Sequence, residues 1–512
     1  MELPNDIPGC HRIIRELVLV LEGLKPQLTG YVQQIEAQHN QIEVQRNQLE
    51  VQHNQLESQR NQLDVQGVQI KDLDLRVKES ELQLKQNSQN SSRPPSSDIY
   101  RQKPAFPRAK GGKVGGKKGH NGGTLKMVPS PDHIVEHRHE KCTHCGKAHF
   151  QEPLSVRGRR QVFDIPPPRI EVTEHRVMNW VCCGCRGENC GKFPLEVSAS
   201  AQYGLRLQTM SVLFNNAYSI PRNKVQAIFK DLYGVTMNEG TLQSQNEFAF
   251  EKLEADEDHI KAKLLLSEVV HFDETGFYVG IARYWEHVAS NDRYTYLFVH
   301  PKRGQEAHES HISILPTFSN WAIHDCWATY FRFMCKHSIC GAHLLRELTA
   351  LVENGSKWAI KLHEFLRDLY LRTDHGKGKV PKAEHASILT QYKKILRMAD
   401  REEPPPVNKP RGKPKKSKGR NLYDRLAKHQ QAVLAFAFNR EVPFTNNQAE
   451  RDIRPTKTKM KVSGCFRTEY GAKIYARIQS FVSTVRKLKF NPFNELYTAL
   501  SDGIPEYRSV SC

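Results

Sequence analysis

The chain has no uninterrupted apolar run of the roughly 18 residues that a bilayer-spanning helix needs, and its mean hydropathy is −0.62. A transmembrane helix is thereby excluded. Its start, Met1-Glu2-Leu3-Pro4-Asn5-Asp6, lacks the basic region and apolar stretch of a secretory signal, so a cytoplasmic location is expected. Cysteine is sparse, 12 in 512 residues, which is too little for a disulfide framework. Several cysteines stand in C-x-x-C pairs, pointing instead to metal in a reducing compartment. Acid is in deficit, with 56 Asp plus Glu against 75 Lys plus Arg and a formal charge of +19. A hydrophobic fraction of 38 % with 9 % aromatics excludes a wholly disordered chain, and the length allows several domains with at least one sizeable core.

The positive charge is concentrated. Residues 93–129, 409–420 and 446–489 carry net charges of +8, +7 and +8, which leaves the remainder close to neutral. One such run would pass for a solvated loop. Three in one chain favour a polyanionic partner, most simply nucleic acid.

After an apolar-periodic stretch over residues 13–24, which Pro26 is expected to close, aliphatics recur every seventh position at Ile35, Ile42, Leu49, Leu56, Leu63, Ile70, Val77 and Leu84. That period predicts a coiled coil and weak self-association, the alternative being an extended solvated helix. The seam is only half filled, because Gln38, Gln45, Gln52, Gln59 and Gln66 stand where a second apolar residue would strengthen it. Ser, Asn and paired prolines over residues 87–98 end the helix, and a Gly/Lys-rich linker follows.

Cys142-x-x-Cys145 and Cys182-x-x-Cys185 then form two potential knuckles, separated by strand-like alternation at residues 170–177. Two such pairs are expected to complete a tetrahedral structural Zn²⁺ site, the alternative being free thiols. His144, Cys183 and Cys190 are spare ligands, so the choice of four is not unique. Residues 200–262 read as helical, with a pair of helices around Gly234 that fits a helix-turn-helix, although any helical hairpin gives the same pattern.

From residue 266 the period changes to two. Residues 269–273 read as a buried strand ending in Asp273, residues 284–288 and 294–299 as its antiparallel neighbours, 308–318 as a helix, and 321–325 as a strand ending in Asp325. Acids closing the first and fourth strands match the layout of ribonuclease-H-like nucleotidyl transferases. Such an enzyme needs a third acid from a later helix, and Glu450 is the candidate. Three carboxylates suit two Mg²⁺ ions clamping a phosphoryl group. The competing reading is that Asp273 merely ends a strand and Glu450, three residues after Asn447, secures a helix start.

Several stretches, in this order, resemble the bacterial insertion-sequence 66 family of DDE transposases, large subunit, over nearly the full length. They are Asn90-Ser91-Ser92-Arg93-Pro94-Pro95-Ser96-Ser97-Asp98, Gly119-His120, the two C-x-x-C pairs and Gln202-Tyr203-Gly204. Asp273-Glu274-Thr275-Gly276, His324-Asp325 and Cys340-Gly341-Ala342-His343-Leu344-Leu345-Arg346-Glu347-Leu348 follow, then Asn446-Asn447-Gln448-Ala449-Glu450-Arg451 and Ser463-Gly464-Cys465-Phe466-Arg467. The resemblance implies a DNA transposase with Asp273, Asp325 and Glu450 as catalytic Mg²⁺ ligands (Mn²⁺ substituting) and a zinc-binding segment. Glu274 is disfavoured because the next residue of a strand faces the other way. His343, Arg346 and Glu347, on one helix face, are candidates for assisting at the phosphate or supporting the site. Partners implied are transposon-end and target DNA, a second copy through the coiled coil, and small accessory proteins of the same element, with nucleoid association when DNA is bound.

The expected organisation is multidomain: an N-terminal helix (1–30), coiled coil (31–86), basic linker (87–131), zinc-ribbon-like domain (132–195) and helical DNA-binding region (196–262). An α/β ribonuclease-H-like core (263–490) follows, with a helical insertion at about 344–440 and a tail at 491–512. The rivals are a hydrolysis-only nuclease on the same core, and a DNA-binding protein or catalytically lapsed descendant.

Overall fold

The computed structural model describes residues 6–84, 90, 125–137, 141–148, 156–373, 378–406 and 416–510. The chain divides into two units, residues 1–86 and 87–512. Among the described residues no helix is long and apolar enough to cross a membrane.

The first unit is one helix, α1 (Ile7–Leu84), of 78 residues, about 117 Å at 1.5 Å per residue. It runs straight through Pro26, which was expected to end it. Proline removes one i→i−4 bond and crowds the preceding turn, but its φ is helical, and good helix formers stand on both sides. The aliphatic stripe lies bare on this helix, with Ile35, Leu49 and Ile70 each about two-thirds exposed.

In the second unit, β1 (Asn179–Val181) and β2 (Glu188–Cys190) pair antiparallel around the second cysteine knuckle. The strand expected at residues 170–177 is absent: this stretch has no ladder partner, and Val172 is almost fully exposed. Alternation predicts a strand only where one face is covered, and here neither is.

A helical block follows: α2 (Leu205–Val212), α3 (Arg222–Tyr233), α4 (Glu239–Lys252) and α5 (Glu254–Leu265). Gly234, at φ +68°, closes α3, and the Asn238 side chain caps α4 by accepting from the Thr241 amide. The expected helix pair is present. Its second helix, however, is packed against α2 and α14 and buries Leu242, Gln245, Asn246 and Ala249. A recognition helix needs a free face for the major groove, and α4 has little of one.

The mixed sheet contains β3 (Val269–Val279), β4 (Ala282–Ser290), β5 (Thr295–His300), β6 (Trp321–His324) and β7 (Lys336–Ile339), in the order β5-β4-β3-β6-β7. β4 is antiparallel to both β3 and β5, whereas β3, β6 and β7 run parallel. Between β5 and β6 only a single turn, α6 (Gln305–His308), is helical. The helix expected at 308–318 is a series of turns, whose apolar Ile314, Leu315 and Phe318 plug the sheet without helical backbone.

Five helices form the insertion: α7 (Gly341–Glu353), α8 (Lys357–Arg372), α9 (His385–Glu402), α10 (Lys418–Lys428) and α11 (Gln430–Phe438). They share one core built on Trp358, Leu362, Leu366, Tyr392 and Leu434. The chain then returns through α12 (Asn447–Asp452), α13 (Arg454–Ser463), α14 (Glu469–Lys487) and α15 (Pro492–Leu500). Pro455 lies in the first turn of α13, which explains the break from α12. One sheet face packs Val288, Leu297 and Val299 on Ala449, Ile453 and Tyr475; the other packs Phe272, Tyr296 and Phe298 on Ile260, Leu264 and Phe318. The outer edge of β5 is sealed by α14, whose Ser480 and Thr484 hydroxyls accept from the Leu297 and Thr295 amides at 2.8 and 3.0 Å.

Candidate active site

Asp273 lies inside the eleven-residue β3, not at its end. The strand continues as a hairpin with β4, but its parallel pairing with β6 stops at His271↔Ile323. Carried two residues further, that register sets Asp273 level with Asp325, the first residue beyond β6. Both acids therefore stand at the sheet's parallel edge, where the ladder opens. The Glu274 amide donates to Asp273 Oδ1 at 2.9 Å, and the Trp327 amide donates to Asp325 Oδ1 at 3.0 Å. Burial pushes the Asp273 carboxyl up to about 6; its own amide bond opposes the rise, and the charges of Asp325 and Glu450 add to it.

Glu450 arrives on α12, whose start is tied to β3. The Asn446 side chain donates to the Phe272 carbonyl at 2.7 Å and its Oδ1 pairs with His271 Nδ1 at 2.9 Å, while its backbone amide points at Cys340 Sγ, 3.1 Å away. The Gly341 amide donates to the Phe444 carbonyl at 2.8 Å, and a Cβ on Gly341 would lie 2.2 Å from the Phe444 ring. Only glycine permits this approach. Asn446 thus uses its side chain on the sheet and caps no amide of α12. The Glu450 amide donates to the Asn446 carbonyl at 3.3 Å as an ordinary helical bond, while its side chain turns away from the helix start. Its Oε1 faces His343 Nε2 at 3.9 Å and Arg346 at 3.7 Å. Glu347, on the same helix as these two, pairs instead with Arg425 of the insertion.

The three acids share one neighbourhood without converging. The one trio of ligand-type atoms within 4.8 Å of one another, among the described residues, is Glu274, His287 and His308. Glu274 does face the other side of the sheet: Arg303 Nε and the Tyr330 hydroxyl donate to its two oxygens at 2.8 and 2.7 Å. Arg303 is itself stacked between Trp285 and Trp327, 5.1 and 4.3 Å from the ring centres. Sequence reasoning named the acids as candidates but did not see Asn446 as a tether, nor Arg303, Tyr330 and His308 as a group. Their contacts join positions far apart in the chain, and no local spacing announces them.

The cysteine pairs each form a knuckle. The Cys142 amide donates to the Lys147 carbonyl at 2.8 Å and Gly146 donates back at 2.9 Å; Cys182, Gly187 and Arg186 repeat the pattern at 2.9 and 2.8 Å. Backbone amides, those of Cys145 and Cys185 first, lower the thiols of Cys142 and Cys182 below their ordinary value. Among the described residues the two knuckles do not close into one cluster. Cys190 is in the β2 ladder opposite Asn179, and Cys183 is exposed.

Of the three basic segments, residues 91–124 and 407–415 lie outside the described residues. In the third, Lys459, Arg477 and Lys487 are turned inward, onto the Asn215 carbonyl, Glu257 and Asp452. Arg451, Arg454, Lys457 and Lys461 are exposed at helical spacing, leading away from Glu450.

A sequence model described as Transposase IS66 family matches residues 200–474. The chain belongs to the IS66 family of transposases. That match runs from just before α2 into α14 and so takes in the whole sheet. A second model, the zinc-finger binding domain of transposase IS66, matches residues 139–186 and spans both knuckles. A third, a family of unknown function (DUF6444), matches residues 35–126. No curated protein matches the chain. This IS66-family chain accordingly carries a zinc-finger domain ahead of a mixed α/β transposase domain.

Proposed function

We propose that this chain is the catalytic transposase of its element. It binds transposon ends, hydrolyses the phosphodiester there and joins the freed 3′-hydroxyl to target DNA, with Asp273, Asp325 and Glu450 holding two Mg²⁺ ions. The observation that carries the reading is the alignment of Asp273 with Asp325 where β3 parts from β6, beside a helix start tied there by Asn446. A first strand in the middle, a second antiparallel strand beside it and a fourth and fifth parallel to the first is the ribonuclease-H-like plan, and it supports the same reading.

The donor set fits hard divalent ions, since it consists of three carboxylates with no thiol among them. The raised Asp273 carboxyl reports burial and mutual repulsion that such cations would relieve. When bound, the two ions supply charge stabilisation at the attacking and leaving oxygens and an acidified water. The chain's own residues orient the groups. Glu274 fixes Asp273 through its amide, Trp327 fixes Asp325, and His343 with Arg346 steadies Glu450. Arg451, Arg454, Lys457 and Lys461 hold phosphates that run away from the site.

A structural Zn²⁺ is held by Cys142, Cys145, Cys182 and Cys185, whose knuckle amides already favour thiolates. The aliphatic stripe of α1 pairs with a second copy as a coiled coil, and accessory proteins of the same element join the assembly on DNA.

Incubating purified protein with labelled DNA bearing the element's ends, target plasmid and Mg²⁺ tests the reading. Cleaved ends and joined products are expected. Nicks without joining would indicate the hydrolysis-only nuclease, and a mobility shift without cleavage would indicate a DNA-binding protein.

A further inference from the structure

On the face of β3 turned away from Asp273, a carboxylate ends between two histidines. Glu274 stands opposite His287 in the β3–β4 ladder, so the sheet itself sets these two side chains on one face. His308, closing α6, supplies the third group, and one ligand atom from each lies within 4.8 Å of the others. All three are withdrawn from solvent: the Glu274 side chain is 1 % exposed, and His287 and His308 are 3 % exposed.

The histidines are in different states of readiness. His287 Nε2 donates to the Lys302 carbonyl at 3.3 Å, which leaves Nδ1 with its lone pair. Metal-binding imidazoles are commonly fixed by such a bond through the other nitrogen. His308 has neither ring nitrogen hydrogen-bonded, and both are buried. A buried imidazole without partners is costly unless something is to be bound. A gap of about 10 Å³, room for one water-sized sphere, is lined by both histidines with Phe298 and Tyr330, although not by Glu274 itself. Arg303 and Tyr330 hold the two Glu274 oxygens, each of which keeps a second lone pair.

We propose that Glu274, His287 and His308 form a further metal site, taking one borderline divalent transition-metal ion of the Zn²⁺ class. Two imidazole nitrogens and one carboxylate suit such an ion and not Mg²⁺, which demands oxygen ligands. The ion fastens α6 to the β3–β4 pair directly behind Asp273. It is a positioning element, and it needs neither the Asp273 set nor the cysteine knuckles.

The test uses the full chain, loaded with Zn²⁺ in excess Mg²⁺, desalted and assayed for zinc by elemental analysis beside His308→Phe and Glu274→Gln. Wild type should retain one zinc more per chain than either variant, and Zn²⁺ should raise its melting temperature more than theirs. Co²⁺ loading should give wild type a tetrahedral absorption without thiolate charge transfer, over and above the cysteine-bound signal, and His308→Phe should lack it. His308→Phe also removes the unpaired imidazole, so it should fold at least as well as wild type without metal. Equal zinc content in wild type and both variants, with identical Co²⁺ spectra, overturns the proposal and leaves the gap to water.

Discussion

Glu286 is the clearest case of a side chain whose protonation is fixed by its surroundings. It lies in β4 on the face that packs against α12–α14, fully buried, with the Thr456 hydroxyl donating to it. Burial pushes its carboxyl from 4.5 up to about 8, and the Thr456 bond opposes this only partly. Between those two values the folded chain holds a proton that the unfolded chain has released, so stability falls as pH rises through the window and returns as pH falls. Glu286→Gln imitates the protonated side chain. It should melt close to wild type at pH 5 and above it at pH 8, and thermal melts at both pH values check this. A difference that does not change with pH would show that Glu286 is ionised in the fold. At this scale the sequence was partly legible. Asp273, Asp325 and Glu450 could be proposed from the sequence because acids in strands and on a later helix form a recognisable set, although Asp273 lies inside its strand and not at the end. Glu286, His308 and Arg303 could not, because their meaning rests on burial by residues distant in the chain.

Helix α12 shows how an element is placed by backbone fit as well as by propensity. It is six residues long, too short to be stable alone, and is held by Asn446 on β3 and by the contact of Gly341 with Phe444. Gly341→Ala forces a methyl into the Phe444 ring. It should cost about 1–3 kcal/mol of stability, as overpacking does, and should lower DNA cleavage more than DNA binding because Glu450 moves with α12. Wild-type melting and cleavage would contradict this account of the contact. In α1 the lesson is different. The heptad stripe was legible, but the stop expected at Pro26 was not real, since one proline does not end a helix with strong formers on both sides. A chain lacking residues 31–86 should have a smaller oligomeric state by light scattering, and equal sizes for both forms would remove the stripe as an assembly element. The bounds of the fifth strand, β7, were not legible, because four residues between two cysteines carry too little pattern to set them. The turns at 308–318 were mistaken for a helix because their apolar residues fall at spacings that a packed irregular loop can share.

Across the whole molecule, basic charge is divided between cations that hold the fold and cations that are free to meet a polyanion. Composition showed the excess and its three locations, but could not separate Lys459 and Lys487, which are internal, from Lys457 and Lys461, which are exposed. Replacing Arg454, Lys457 and Lys461 by Gln should weaken binding on every DNA sequence alike. The slope of log affinity against log salt should flatten by up to roughly 0.9 per lost duplex phosphate contact. An unchanged slope would make that face a solvated one. The measurement closest to the central claim is cleavage of a labelled transposon-end duplex in Mg²⁺ by wild type and by Asp273→Asn, Asp325→Asn and Glu450→Gln, with binding to the same duplex followed in parallel. Each substitution keeps shape and removes one charge. Each alone should abolish cleavage and strand transfer while leaving fold and DNA binding largely intact, and combining them should add little, because the three act as one unit. Near wild-type cleavage by Glu450→Gln would contradict the account, since the carboxylate that α12 brings to the sheet would then not be a ligand of the catalytic ions.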